Sequence, residues 1–189
     1  GMSENKLCSG IGGLAFGAGV SVALCGGVAR SCDWLGQAHA NGEGVPRDDT
    51  KAAQLYQKGC DKGYPASCFH LGVAHFKGVG VDRDAVKAAQ FFQLACEVGT
   101  AAACFNLGQL YYIGSGVTED KVKALQLFEK ACSAGDTSGC VNAADVHANG
   151  KGVARNRERA AQLYDRGCDA GDTASCTGLR ALRKGSGAA

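Results

Sequence analysis

The chain has 189 residues, 20 basic and 18 acidic side chains and a net charge of +2. That near-neutral balance excludes the basic footprint of a nucleic-acid binder, and no run of like charge marks an interaction tail. With 29 glycines and 2 prolines, glycine does the punctuating, and 11 cysteines are many for a protein of a reducing cytosol.

Residues 1–10 read as a polar tail. The stretch from Ile11 to Ala29 is uncharged and about as long as one membrane span. It is compatible with the apolar core of a signal peptide, with Gly27 and Ala29 before a cleavage point, or with a degenerate leading helix over 11–31. A membrane role is expected only if residues 11–29 form an anchor. The leading-helix reading is preferred because of the cysteine pattern below.

From Cys32 onward the chain repeats itself. "CDWLGQAHANGEGV", "CFHLGVAHFKGVGV", "CFNLGQLYYIGSGV" and "CVNAADVHANGKGV" start at Cys32, Cys68, Cys104 and Cys140, a constant 36 residues apart. Counting each cysteine as position 1, the units are 32–67, 68–103, 104–139 and 140–175, and a capping helix covers 176–183. Residues 184–189 read as a flexible tail. Positions 1, 4, 5 and 8 recur on one helical face. Position 5 is small (Gly36, Gly72, Gly108, Ala144), and position 8 holds His39, His75, Tyr111 and His147. A tyrosine among the histidines predicts packing rather than metal binding. Each first helix stops at a G-x-G turn. Asp48, Asp84, Asp120 and Asn156 then supply N-cap side chains for a second helix. The second helices carry the aromatics Tyr56, Phe92, Phe128 and Tyr164 and end at Gly63, Gly99, Gly135 and Gly171. Neither helix of a unit can bury its apolar face alone, so stacking of units must make the core.

Eight cysteines form four C-x7-C pairs: Cys60–Cys68, Cys96–Cys104, Cys132–Cys140 and Cys168–Cys176. The spacing matches neither a zinc knuckle nor a redox-active C-x-x-C. It joins the end of one second helix to the first turn of the next first helix, so the pairs are expected to be disulfide staples. The same pattern asks for a partner for Cys32 near position 24. Cys25 stands one residue away, which predicts a fifth bridge, Cys25–Cys32, and leaves Cys8 as the odd thiol. An oxidising compartment, periplasmic or extracellular, is the expected location.

The motif L-G-x-x-[YH]-x-x-G-x-G-V-x-x-D-x-x-K-A resembles the Sel-one-like repeat (SLR), a 36-residue relative of the tetratricopeptide repeat. The paired cysteines are similar to those of its cysteine-rich, Hcp-type bacterial branch. The resemblance covers 32 to about 183. Unit four departs from the pattern with Ala143, Ala144 and Asn156. It implies an all-α, right-handed α/α solenoid of about four and a half disulfide-stapled units that holds partner proteins or peptides. Some Hcp-type relatives are described as penicillin-binding or weakly β-lactam-hydrolysing, so that activity is the alternative expectation.

Acyl-transfer machinery is not evident. The only S-x-x-K is Ser3 to Lys6 in the polar tail, and no K-T-G, S-D-N or G-x-S-x-G accompanies it. No cofactor is implied, and catalysis is not the leading expectation. A redox role for Cys8 is a third reading. The strongest binding feature is a second stripe at positions 3, 7 and 10 of the first helices. Its candidate ligand-groove residues are Trp34, Asn41, His70, Lys77, Asn106, Leu110, Asn142 and Asn149. Asparagine can donate to and accept from a peptide backbone at once, and a lone tryptophan suits an interface anchor. The expected partner is therefore a protein or peptide.

Overall fold

The computed structural model describes residues 28–184. Cys8, the Ser3–Lys6 motif and residues 11–27 of the expected leading helix lie outside them; its last residues, 29–31, belong instead to the first helix of unit one. The described residues form nine α-helices: α1 Ala29–Asn41, α2 Asp49–Asp61, α3 Pro65–Lys77, α4 Ala85–Glu97, α5 Ala101–Ile113, α6 Lys121–Ser133, α7 Thr137–Asn149, α8 Arg157–Asp169 and α9 Thr173–Lys184. Odd-numbered helices are the first of each unit, and even-numbered helices the second. Each helix packs chiefly on its neighbours in the chain, and the first helices also meet across units, α1 with α3 and α7 with α9. The molecule is an α/α solenoid. Its first helices open three residues before the cysteines, so each cysteine sits in the first turn rather than at the start.

Local chemistry explains the boundaries. At the ends of the first helices, Gly42, Gly78, Gly114 and Gly150 take left-handed backbone and return their N–H groups to Ala38, Ala74, Leu110 and Val146. The N-cap side chains then accept from the backbone two to three residues into the next helix, as expected. Asp48 accepts from Lys51 N at 2.9 Å, Asp84 from Lys87 N at 3.0 Å, Asp120 from Lys123 N at 2.8 Å and Asn156 from Arg159 N at 2.9 Å. The same four residues donate their own N–H groups to the position-8 carbonyls of His39, His75, Tyr111 and His147. His39 and His75 tie the turn a second time, their Nδ1 lying 3.2 and 3.3 Å from the carbonyls of Pro46 and Asp82. A carbonyl only accepts, so these rings carry their proton on Nδ1. Asp120→Ala is expected to lower stability by about 1 kcal/mol, read as a shift of the urea midpoint with an unchanged slope.

Position 5 is small because an aromatic ring of the same unit lies on it. A Cβ at Gly36 would come within 2.6 Å of Tyr56, at Gly72 within 2.7 Å of Phe92 and at Gly108 within 2.8 Å of Phe128. Phe92 and Phe128 are thereby sealed into the core. In unit four Ala144 replaces the glycine and shares a buried cluster with Tyr164, whose ring also lies against Gly178 of α9. Successive units meet just as closely. Gly80 and Gly116, at positive φ, lie against the backbone of Asp49 and Ala85 in the preceding units.

The four C-x7-C pairs are disulfides, with Cα–Cα distances of 4.6, 4.7, 4.5 and 4.7 Å along the chain. Each links the last turn of an even helix to the first turn of the next odd one. Cys32 is also disulfide-bonded; its expected partner, Cys25, lies outside the described residues.

Candidate functional site

The odd helices of three successive units open a cleft of about 640 Å³. α3 contributes Phe69, His70, Val73, Phe76 and Lys77, α5 contributes Asn106, Gln109, Leu110, Tyr112 and Ile113, and α7 contributes Asn142. Its walls are mostly aromatic and aliphatic, with Phe92 beneath them. The polar groups His70, Asn106, Gln109 and Asn142 are spaced along it, an arrangement common to binding clefts. A second, smaller pocket of about 150 Å³ adjoins it, lined by Tyr112, Phe128, Asn142, Asp145, Val146, Asn149 and Lys151. Asn142 belongs to both.

His70, Lys77, Asn106, Leu110 and Asn142 line the larger cleft, and Asn142 and Asn149 the smaller pocket. Trp34 and Asn41 line neither; Trp34 stands 65% exposed on α1. The stripe itself needs correction. Position 7 (Ala38, Ala74, Leu110, Val146) is buried in every unit, and Leu110, 2% exposed, reaches the cleft only as part of its floor. The helices turn positions 3, 6 and 10 outward instead: Gln37, Val73, Gln109 and Asp145 occupy position 6. The physical reason is that position 7 lies beside positions 4 and 8 on the face that meets the even helices. Its uniformly apolar character across four units was the signal for this.

A polar network at the α1 end of the cleft escaped the sequence reading. Asp33 is 4% exposed. It accepts from the fully buried Ser67 Oγ at 3.0 Å and from Gln37 Nε2 at 2.8 Å. His70 Nε2 lies 3.9 Å from the same carboxylate and 3.4 Å from Gln37 Nε2. Since the Gln37 amide nitrogen can only donate, His70 Nε2 is the acceptor and its proton sits on Nδ1. Burial lowers the His70 pKa, with Asp33 opposing, so the neutral ring is favoured. His70 also stacks on Tyr56 at 4.9 Å. Burial first, then the Asp33 charge, pushes the Tyr56 hydroxyl up to about 12. Ser, His and Asp meet here, but the serine bonds to the carboxylate rather than to the imidazole. That is not the geometry of an activated nucleophile. The network instead fastens α1 to α3.

Among the described residues no group of three or more His, Cys, Asp or Glu could hold a metal ion, and no helix is long and apolar enough to cross a membrane. At position 8 of unit four, His147 Nε2 meets Glu129 at 3.3 Å, and the same carboxylate accepts from Arg159 Nε at 2.9 Å. In unit three Lys123 Nζ donates to the Tyr111 hydroxyl at 2.7 Å.

The Sel1 repeat model matches residues 29–64, 65–99, 101–136 and 137–172, in step with the four helical hairpins. The chain belongs to the Sel1 repeat family. Solved structures agree. A Sel1 repeat protein from Oxalobacter formigenes is 28% identical over 80% of this chain and 62% of its own, with a TM-score of 0.76. A protective antigen of uropathogenic Escherichia coli with an SLR fold is 31% identical over 82% of this chain and 34% of its own, with a TM-score of 0.78. Helicobacter pylori cysteine rich protein B is 28% identical over 59% of this chain and 86% of its own, with a TM-score of 0.53. This chain thus spans about three fifths of the first of these proteins and one third of the second. No curated protein gave a significant match. The four bridges, together with a cysteine-rich neighbour in the family, point to a non-cytoplasmic Sel1 protein.

Proposed function

We propose that this Sel1 protein is a binding scaffold that holds an extended peptide segment of a partner protein across the odd-helix cleft, in the periplasm or outside the cell. The observation that carries this reading is the cleft itself. It has apolar walls contributed by two successive units and spaced polar side chains from three. Asn106 makes no side-chain hydrogen bond within the described residues, so both its donor and its acceptor capacity remain for a ligand backbone. The disulfides hold neighbouring hairpins in register before any ligand arrives, which lowers the ordering cost of binding. The chemistry available is recognition by shape and hydrogen bonding.

Panning the oxidised full chain against a random-peptide display library tests this. Ile113 is 62% exposed at the rim of the cleft, so Ile113→Asp spares the fold while placing a charge among the apolar walls. The selected peptides are expected to lose about tenfold in affinity against Ile113→Asp, and less against Asn106→Ala. Circular dichroism should be unchanged for both variants. Selected peptides that bind all three proteins equally would place the binding surface elsewhere.

A further inference from the structure

The smaller pocket is chemically unlike the cleft beside it. Asn142 donates its Nδ2 to the Ser138 carbonyl at 2.8 Å, and Asn149 donates its Nδ2 to the Asp145 carbonyl at 2.9 Å. Carbonyl oxygens only accept, so both amide orientations are fixed. Each Asn Oδ1 is left as an acceptor with no protein donor among the described residues. Asp145 stands with them. Its Oδ1 accepts from the Tyr164 hydroxyl, which leaves Oδ2, and no basic group pairs with it among the described residues. Three oxygens, one of them charged, thus gather at one small opening. Tyr112 forms an aromatic wall beside them. The Tyr112 ring already attracts a cation from outside the pocket, with Lys121 Nζ 5.8 Å from its centroid. Lys151 is the pocket's one cationic side chain, exposed in the turn after α7. Units one to three offer no counterpart, because position 6 there is Gln37, Val73 and Gln109.

We propose that this pocket is a cation subsite of the peptide groove, taking a lysine or arginine side chain of the bound segment through Asp145, Asn142 and Asn149. Ammonium and guanidinium groups bring three and five donors and no acceptor, the complement of an acceptor-lined opening. Because Asn142 lines both cavities, one extended segment can fill the two together. Side chains two apart on an extended chain share a face and lie ~7 Å from each other. The segment therefore carries a large apolar residue in the cleft and a basic residue within about two positions of it. The assignment deepens the groove reading and requires that reading to hold.

The same panning experiment tests both and separates their failures. Selected peptides are synthesised with acetylated amino termini and titrated at low ionic strength. They should carry Lys or Arg near an aromatic or aliphatic residue. Asp145→Asn, which keeps an oxygen for Tyr164, should weaken them about tenfold, and Asp145→Glu should retain binding to within a few-fold. Replacing the basic residue by norleucine should erase the difference between wild type and Asp145→Asn. Lys151→Gln should tighten binding about twofold by removing a competing cation. Peptides without a basic residue, or indifference to Asp145→Asn in a protein whose melting point is unchanged, overturn the cation subsite and leave the groove standing. A dependence on Asp145 that disappears on acetylation overturns the side-chain assignment in favour of a peptide amine. Indifference to Ile113→Asp, or no selected peptide at all, removes both readings.

Discussion

Full reduction of the protein is expected to abolish its helical circular dichroism at room temperature. Each of the four described bridges closes a loop between cysteines eight residues apart. In the chain-entropy description one such bridge contributes ~2.6 kcal/mol, and four contribute ~10 kcal/mol. A domain of this size has a net stability of about 5–15 kcal/mol. Alanine is the commonest buried hydrophobic residue of the core, so the interior offers less apolar area per residue to make up the loss. Two controls locate the effect. Cys96→Ser/Cys104→Ser should cost about 2–3 kcal/mol and leave the remaining bridges oxidised. Thiol titration of the native protein should find none of Cys60, Cys68, Cys96, Cys104, Cys132, Cys140, Cys168 or Cys176 free. A reduced protein that keeps its native spectrum and melting point would show that packing alone sustains the stack.

Gly116→Ala should be among the most damaging single changes, at about 2–4 kcal/mol. Two penalties meet at that position. Gly116 has φ +71°, where a Cβ is strained, and the added Cβ would lie 2.3 Å from the Ala85 backbone of the preceding unit. Backbone cannot swing aside as a side chain can. Gly99→Ala separates the two effects. Its φ is +96°, but nothing lies within 4 Å of a Cβ there, so only the conformational term of about 1 kcal/mol applies. The difference between the two urea midpoints measures how tightly one unit is seated on the next. Equal shifts would mean that the joint between units accommodates a methyl group without cost.

The hairpin array was legible in the residues because its determinants are local and recur. A capping Asp48, a turn at Gly78 or a cysteine at each seam says the same thing in each unit, so chance agreement is excluded by repetition. The groove was legible only in part. Asn106 and Asn142 could be placed on the outward stripe by counting. The register of the stripe turned on whether position 6 or position 7 faces inward, a difference of one residue. Val73 at position 6 and Ala74 at position 7 are both apolar, so unit two does not decide it. Gln37, Gln109 and Asp145 do. The Asp33 network was illegible for another reason. Asp33 stands where later units place Phe69, Phe105 and Val141, a departure confined to one unit. Its partner Ser67 is 34 residues away, beyond the reach of any helical periodicity. Likewise the acceptor-lined pocket depends on side-chain bonds at Asn142 and Asn149 that spacing does not reveal.

Every described bridge also closes within the seam it secures. Eleven cysteines in one polypeptide present a large matching problem. For the eight cysteines of the four described bridges it is solved by proximity: each meets its mate eight residues along the chain, where loop closure is least costly, long before a distant competitor can arrive. Oxidation can therefore proceed hairpin by hairpin as the chain emerges, without an isomerase sorting remote alternatives. A duplicated stretch of one period would carry its own pair with it. The lineage can lengthen or shorten the spring in whole coils and inherit correct sulfur pairing each time.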